Sequence, residues 1–178
     1  MKRVLVIGPS GAGKSTFATA LAARTGLPLI HLDQQYWKPG WVETPEAEWL
    51  QKVEGLVARD TWIMEGGYSA SFHIRMPRAD TIFLITRPRW LYIARVLLRT
   101  LKHYGRVRPD LAEGCPERFD LDFLKWVWNY EKRSLPSIYE GLRNFGGQAK
   151  LITIASDQEG ADYLARLRSK RISASRGA

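Results

Sequence analysis

The stretch Gly8-Pro9-Ser10-Gly11-Ala12-Gly13-Lys14-Ser15 constrains this chain more than any other. Its fixed glycines, lysine and serine have the spacing of a phosphate-binding loop, and the flanks suit that pattern. Lys2 to Ile7 is a β-branched run ending in glycine, which predicts a buried strand running in. Lys14 to Arg24 carries Phe17 and Leu21 at helical spacing, and Gly26 and Pro28 stop that helix. The residue types fit the chemistry. Glycines let the backbone turn tightly, so that amide hydrogens along Gly8, Ser10, Gly11, Ala12 and Gly13 reach phosphate oxygens. The helix N-terminus adds its positive dipole end, where Thr16 can contribute a contact. Lys14 is expected to reach the β- and γ-phosphates, and the Ser15 hydroxyl to hold Mg²⁺. The ligand these residues imply is MgATP or a close relative.

Downstream, strand-like and helix-like segments alternate. Strands are predicted over Pro28 to Leu32, Thr61 to Met64, Thr81 to Thr86 and Lys150 to Ile154. Between them, Thr44 reads as an N-cap followed by Pro45 at the first helical position, with Trp49, Val53, Leu56 and Val57 on one face. Pro88 to His103 predicts a long helix, with Trp90, Ile93, Ala94, Leu97, Leu98 and Leu101 as its core stripe. Asp120 to Asn144 reads as helix with a break near Pro136, and Asp157 to Arg168 as the last helix. Such alternation argues for an α/β domain whose parallel sheet is covered on both faces. No linker or repeat divides the chain, so residues 1–178 read as one domain. The stretch from about 169 to 178 is expected to be a disordered basic tail.

The 178 residues are 45% hydrophobic and 25% charged, which suits a globular domain with its own core. A single cysteine, Cys115, excludes an intrachain disulfide and reads as a small filler. No apolar run reaches the roughly 18 residues that span a bilayer, and Val4 to Ile7 is too short for a signal-peptide core. A cytoplasmic protein without membrane contact is expected, as a monomer or a dimer. The 27 basic against 18 acidic side chains, a net charge of +9, favour polyanionic partners, either a nucleotide or a nucleic acid.

Outside the phosphate loop, the carboxyl ends of the predicted strands supply the next candidates, because ligands of open parallel sheets bind there. Asp33 follows the second strand and suits a base, an acceptor-hydroxyl partner or a ligand of magnesium-bound water. Glu65-Gly66-Gly67-Tyr68 ends the third strand: Glu65 suits the magnesium water shell, and the glycines permit close approach of a ligand. The fourth strand ends in Thr86-Arg87-Pro88 without the usual Walker B acid. Arg95, Arg99 and Lys102 share one helix face. They lead into the Gly/Pro-rich segment from Tyr104 to Pro116, which is expected to be a mobile, arginine-bearing lid spanning about 99–118.

Together these residues resemble the P-loop nucleoside monophosphate kinase group, adenylate kinases in particular. Gly8 to Ser15 is similar to their phosphate loop. Gly26-Leu27-Pro28, a strand and then Asp33 resemble the start of their acceptor region, here about 33–75. Glu65-Gly66-Gly67 stands where they carry Asp-Gly-Phe-Pro-Arg, and Arg95-x-x-x-Arg99 is similar to their arginine pair before the lid. A fuller resemblance rests on His31-Leu32-Asp33, Trp37-Lys38-Pro39-Gly40-Trp41, Trp62-Ile63-Met64-Glu65-Gly66-Gly67-Tyr68 and Glu113-Gly114-Cys115-Pro116-Glu117-Arg118-Phe119-Asp120. These are similar to the family described as DNA topology modulation proteins, whose members are often labelled adenylate-kinase-like.

The resemblance implies a three-layer αβα P-loop nucleotide kinase fold with a five-stranded parallel sheet and a small lid. It implies catalytic roles for Lys14, Asp33, Arg95, Arg99 and Arg133, and phosphate contacts from Arg106 and Arg118. Asp33, Glu65, Gly66, Gly67, Tyr68 and Arg75 are the implied acceptor site. The adenylate kinase arginine that grips the acceptor phosphate has no counterpart after Tyr68, which Ser69 follows; Arg75 or Arg78 would replace it. Tyr36, Trp37, Trp41 and Trp49 crowd the acceptor region, where aromatic rings either stack on a base or join the core, the latter favoured for Trp49.

The expected activity is transfer of the γ-phosphoryl group of MgATP to a nucleotide, nucleoside or other small acceptor. The alternative is a nucleic-acid-associated P-loop ATPase or regulator affecting DNA topology, suggested by the net charge and by Arg166, Arg168, Lys170, Arg171 and Arg176.

Overall fold

A computed structural model describes residues 1–175, with backbone alone for 168–175. Its centre is a five-stranded sheet in the order β2-β5-β1-β6-β7. The strands are β1 (Arg3–Ile7), β2 (Leu29–His31), β5 (Trp62–Glu65), β6 (Thr81–Ile85) and β7 (Lys150–Ile154). All their pairings are parallel. A separate two-stranded hairpin, β3 (Trp37–Lys38) with β4 (Val42–Glu43), was not legible as strands in the sequence.

Side-chain alternation splits the core into two layers. Leu5, Ile7, Trp62, Met64, Ile82 and Leu84 face one side. There they meet α3 (Glu46–Val57), the short α4 (Phe72–Arg75), α7 (Tyr130–Arg133) and α8 (Leu135–Phe145). Val4, Val6, Ile63, Phe83 and Ile85 face the other side, against α1 (Lys14–Thr25), α5 (Arg89–His103), α6 (Leu121–Trp128) and α9 (Asp157–Ser175). With both faces covered, β1, β5 and β6 read as unbroken apolar runs, as central parallel strands do.

Several expectations need correction. The second strand ends at His31, before the expected Leu32, which instead opens the short α2 (Leu32–Tyr36) that carries Asp33 just past the strand. Thr44 does not cap α3: Pro45 precedes its first residue, and the Thr44 hydroxyl donates to the Tyr36 carbonyl instead. The helical stretch expected from 120 to 144 breaks at Asn129 and Ser134, and Pro136 falls in the first turn of α8, where its missing N–H costs nothing. The last helix runs on to Ser175, past the end expected at Arg168; residues 176–178 of the expected tail lie outside the described residues.

The largest correction concerns α5. Its buried stripe is Tyr92, Val96 and Thr100, while Trp90, Leu98 and Leu101 are exposed, Leu101 at 77%. The helix turns its mixed polar stripe inward because polar partners wait there. The Tyr92 hydroxyl accepts from the Arg87 N–H at 2.7 Å, and Thr100 Oγ1 donates to Glu117 Oε2 at 3.2 Å.

Candidate active site

β1 sits mid-sheet, with β5 on one side and β6 on the other, so its carboxyl end opens at the point where chain order reverses. The phosphate loop leaves from there. Gly8 and Gly11 carry φ of 145° and 81°. A Cβ on Gly8 would run into the Ile85 carbonyl, and one on Gly11 would lie 2.5 Å from that of Tyr92. Backbone packs against backbone here, which leaves no room for a side chain. The Ala12 N–H donates to the Pro9 carbonyl at 3.2 Å, closing the turn. Gly13 caps α1 without a side-chain hydrogen bond. Helix N-terminal amides free of a side-chain cap suit an anion.

Lys14 Nζ donates to the Pro9 carbonyl at 3.1 Å and lies 3.6 Å from Glu65 Oε1. Glu65, buried at the end of β5, is the hub of the cleft. Its Oε2 lies 3.0 Å from His31 Nδ1, and Ser15 also hydrogen-bonds to the carboxylate. Burial pushes the Glu65 carboxyl up, but the Lys14 charge and the His31 hydrogen bond outweigh it, so its pKa falls below the usual range. The same hydrogen bond holds His31 above its ordinary value against the pull of burial. A strand histidine thus turns out to be wired into the site, through β2–β5 register that places His31 beside Glu65.

Asp33 accepts a 2.6 Å hydrogen bond from Tyr68 Oη. Burial, then the nearby Glu65 charge, push the Asp33 carboxyl up, with Tyr68 and Lys14 opposing. Tyr68 takes a left-handed backbone, φ 50°, at the end of the Gly66-Gly67 turn. Its ring packs on Tyr36 (4.6 Å between centroids) and Trp49 (5.1 Å), so both of these join the core around the site.

Arg75 is completely buried. Its guanidinium donates to Ser71 Oγ at 2.9 Å, to the Tyr68 carbonyl at 3.0 Å, to the Gly66 carbonyl at 3.4 Å and to the Gly67 carbonyl. It therefore braces the glycine turn, with its nitrogens taken up by that turn's carbonyls and by Ser71. Burial pushes this guanidinium down to about 9, still charged at neutral pH.

Helix α5 passes directly over the phosphate loop. Arg99 Nη1 lies 3.5 Å from Ser10 Oγ, while Arg95 pairs with Asp157 at the start of α9. Of the other predicted arginines, Arg106 and Arg133 are exposed, and Arg118 lies 3.6 Å from Asp120 and 5.9 Å from the Trp41 ring centroid. Gly66 and Gly67 sit at the cleft as expected, and Thr16 is exposed on the first turn of α1.

Within residues 104–119, the stretch 109–116 packs down on residues 34–41. Gln34 Nε2 donates to the Pro109 carbonyl at 2.5 Å, Trp41 Nε1 to that of Pro116 at 3.0 Å, and the Gly40 N–H to that of Gly114 at 2.9 Å. Cys115 is buried there, donating to the Lys38 carbonyl at 3.3 Å. Sequence reasoning marked this segment as arginine-bearing but missed the acids that pair with its arginines. Arg108 and Glu117 face each other, and Asp110 lies 3.4 Å from Arg108. Glu117 stood within the Glu113-to-Asp120 motif, yet nothing local distinguishes it from a solvated acid.

Among the described residues, no group of three or more His, Cys, Asp or Glu side chains forms a metal site by itself. The Ser15 hydroxyl beside an ionised Glu65, with Asp33 in the same cleft, offers the sparse oxygen set that suits Mg²⁺ held largely by waters and substrate phosphates. Nor is any helix of the described residues long and apolar enough to cross a membrane.

No family model matches the chain, and no curated protein matches it in sequence. Its fold does match solved structures. A shikimate kinase from Acinetobacter baumannii, in complex with shikimate, aligns with a TM-score of 0.58 at 17% identity, covering 97% of this chain and 94% of that one. A shikimate kinase from Bacteroides thetaiotaomicron aligns with a TM-score of 0.51 at 16% identity, covering 94% and 96%. One from Aquifex aeolicus aligns with a TM-score of 0.50 at 13% identity, covering 99% of both. The chain thus has the α/β P-loop kinase fold of these enzymes, with the same parallel sheet behind the phosphate loop.

Proposed function

We propose that this chain is a P-loop phosphotransferase that passes the γ-phosphoryl group of MgATP to a hydroxyl of a small acceptor. The observation that carries the proposal is the convergence of Lys14, Ser15, Glu65 and Asp33 at the carboxyl ends of β1, β2 and β5. Lys14 and the amides of the loop would bind the β- and γ-phosphates. Ser15 and, through water, Glu65 would hold Mg²⁺, which when bound would neutralise charge on the phosphates. Asp33, with a carboxyl pushed up by burial, would accept the proton of the attacking hydroxyl, because a base works best when its pKa approaches the working pH. Arg99, against the phosphate loop, would stabilise charge on the group in flight.

A nucleoside acceptor, phosphorylated at a hydroxyl, stays within this proposal, while a nucleotide acceptor of the adenylate kinase kind would offer a phosphate oxygen and leave Asp33 no proton to take. Fold neighbours named for shikimate add small metabolites to the acceptors worth testing. The nucleic-acid alternative, with the topology-modulation family behind it, rests on net charge. Three of the arginines that supply this charge, Arg95, Arg99 and Arg108, are paired with Asp157, Glu117 and Asp110, which favours the small acceptor. Arg168, Lys170 and Arg171 have no described side chains, and Arg176 lies outside the described residues.

The test is ADP production from MgATP across a panel of nucleosides, nucleotides and small hydroxyl metabolites. An acceptor-dependent rate is expected, lost by at least about a thousandfold in Lys14→Ala with the fold intact by circular dichroism. Acceptor-independent hydrolysis stimulated by DNA would replace the proposal with its alternative, and a fully active Lys14→Ala would remove the assigned role.

A further inference from the structure

Arg99 of α5, beside the phosphate loop, and Arg108 of the segment that follows share one buried carboxylate. Glu117 is 5% exposed, and its Oε1 lies 2.9 Å from Arg99 Nε and 2.9 Å from Arg108 Nε. Its Oε2 takes the Thr100 hydroxyl at 3.2 Å. Its backbone is tied as well: its N–H donates to the Arg106 carbonyl at 2.9 Å, and its carbonyl accepts from the Gly105 N–H at 2.9 Å. Hydrogen bonds fix the acid in place, whereas the two Nε atoms meet its Oε1 at ion-pair distance without hydrogen-bond geometry, so the buried charge of Glu117 is what holds the two guanidinium groups together.

The side of the contact matters. A guanidinium presents an Nε edge and a pair of terminal nitrogens, and both arginines give Glu117 the Nε edge. Their Nη atoms are left to meet other partners. Those of Arg99 reach the phosphate loop at Ser10, 3.5 Å away, and Nη1 of Arg108 lies 3.4 Å from Asp110 Oδ2. Two like charges this close repel, and burial adds a cost to each; both effects lower the Arg99 pKa, burial first, while Glu117 opposes them. Without Glu117 the pair would separate toward water.

We propose that Glu117 is a positioning residue that clamps Arg99 and Arg108 by their Nε edges and so aims their Nη atoms at the terminal phosphate of the nucleotide. This rests on the phosphotransferase reading above and adds Arg108 to the residues that read the γ-phosphate. Asp110 is then the counter-ion that the phosphate displaces.

The consequence is discrimination between MgATP and MgADP, which differ only in the group the clamped arginines face. Calorimetric affinities for the two nucleotides test it without any acceptor. Glu117→Gln keeps the shape and the Thr100 contact but removes the charge. It is expected to weaken MgATP about tenfold more than MgADP, roughly the loss of one charge-assisted hydrogen bond. The extra loss should vanish when Glu117→Gln is made in an Arg99→Ala/Arg108→Ala background, because a clamp has no effect without what it clamps. A purely structural Glu117 would weaken both nucleotides alike, and that result would overturn the inference. If Glu117→Gln folds poorly, Glu117→Asp retracts the charge by one methylene and should lose the same discrimination; an unchanged MgATP-to-MgADP ratio in that folded variant also overturns it. Failure of the wild-type chain to bind either nucleotide would instead sink the phosphotransferase reading and this inference with it.

Discussion

At the scale of single residues, Asp33 shows how the proposed catalytic arrangement opposes stability. Burial and the Glu65 charge raise its carboxyl pKa, so folding disfavours its ionised form. The sign follows from linkage. The folded state holds the Asp33 proton more tightly than the unfolded chain, whose carboxyl titrates near 3.8. Stability is therefore lost as pH rises from 3.8 through the folded pKa, and the whole penalty is present above it. Asp33→Asn removes the charge and keeps an acceptor for Tyr68. It is expected to raise the melting temperature at pH 7, with the gain shrinking as pH is lowered toward the ordinary Asp value, while phosphoryl transfer falls by about a hundredfold or more. Thermal melts across pH, run beside the ADP assay, check both halves. A variant melting lower at pH 7 would show that the Tyr68 contact outweighs the burial of charge.

At the scale of elements, α5 separates what the sequence pattern made legible from what it did not. The phosphate loop, the five parallel strands and most helices could be read locally, because each follows from a contiguous motif or periodicity. The facing of α5 could not. The more apolar stripe, Trp90 to Leu101, invited the inference of a core, yet Tyr92, Val96 and Thr100 are the buried set. Their burial is decided by partners outside the helix, Arg87 and Glu117 among them, and by the close approach of Tyr92 to Gly11. The same limit hid the Glu117 clamp and the bracing role of Arg75, since hydrogen bonds to loop carbonyls leave no trace in residue spacing. A pair of substitutions tests the orientation by chemical denaturation. Val96→Ala is expected to cost about 2 kcal/mol through lost packing, whereas Leu98→Lys should change stability by less than about 0.5 kcal/mol. Equal costs would place α5 in the rotation that hydrophobicity alone suggests.

At the scale of the whole molecule, the segment 104–119 joins two halves of the cleft that the sheet keeps apart. Its base is fixed near the phosphate loop by Glu117, and its far end rests on residues 34–41 through Gln34, Gly40 and Trp41. On the proposed phosphotransferase reading, such a bridge would couple the nucleotide side to the acceptor side, and its closure would exclude the water that would otherwise take the phosphoryl group. The tightest point of the bridge is Gly114, where a Cβ would lie 2.8 Å from Pro39 Cβ and 3.2 Å from Pro39 Cα. Gly114→Val should wedge the two segments apart without touching the phosphate loop. The expected result is unchanged MgATP affinity, a several-fold higher KM for the acceptor, and a rise in ADP formed without acceptor relative to ADP formed with it. That ratio separates a closure defect from general damage, because a poorly folded enzyme loses both rates together, whereas an unsealed cleft loses transfer and gains hydrolysis. Were the ratio unchanged in a folded Gly114→Val enzyme, the packing of 109–116 on 34–41 would have no part in keeping water out.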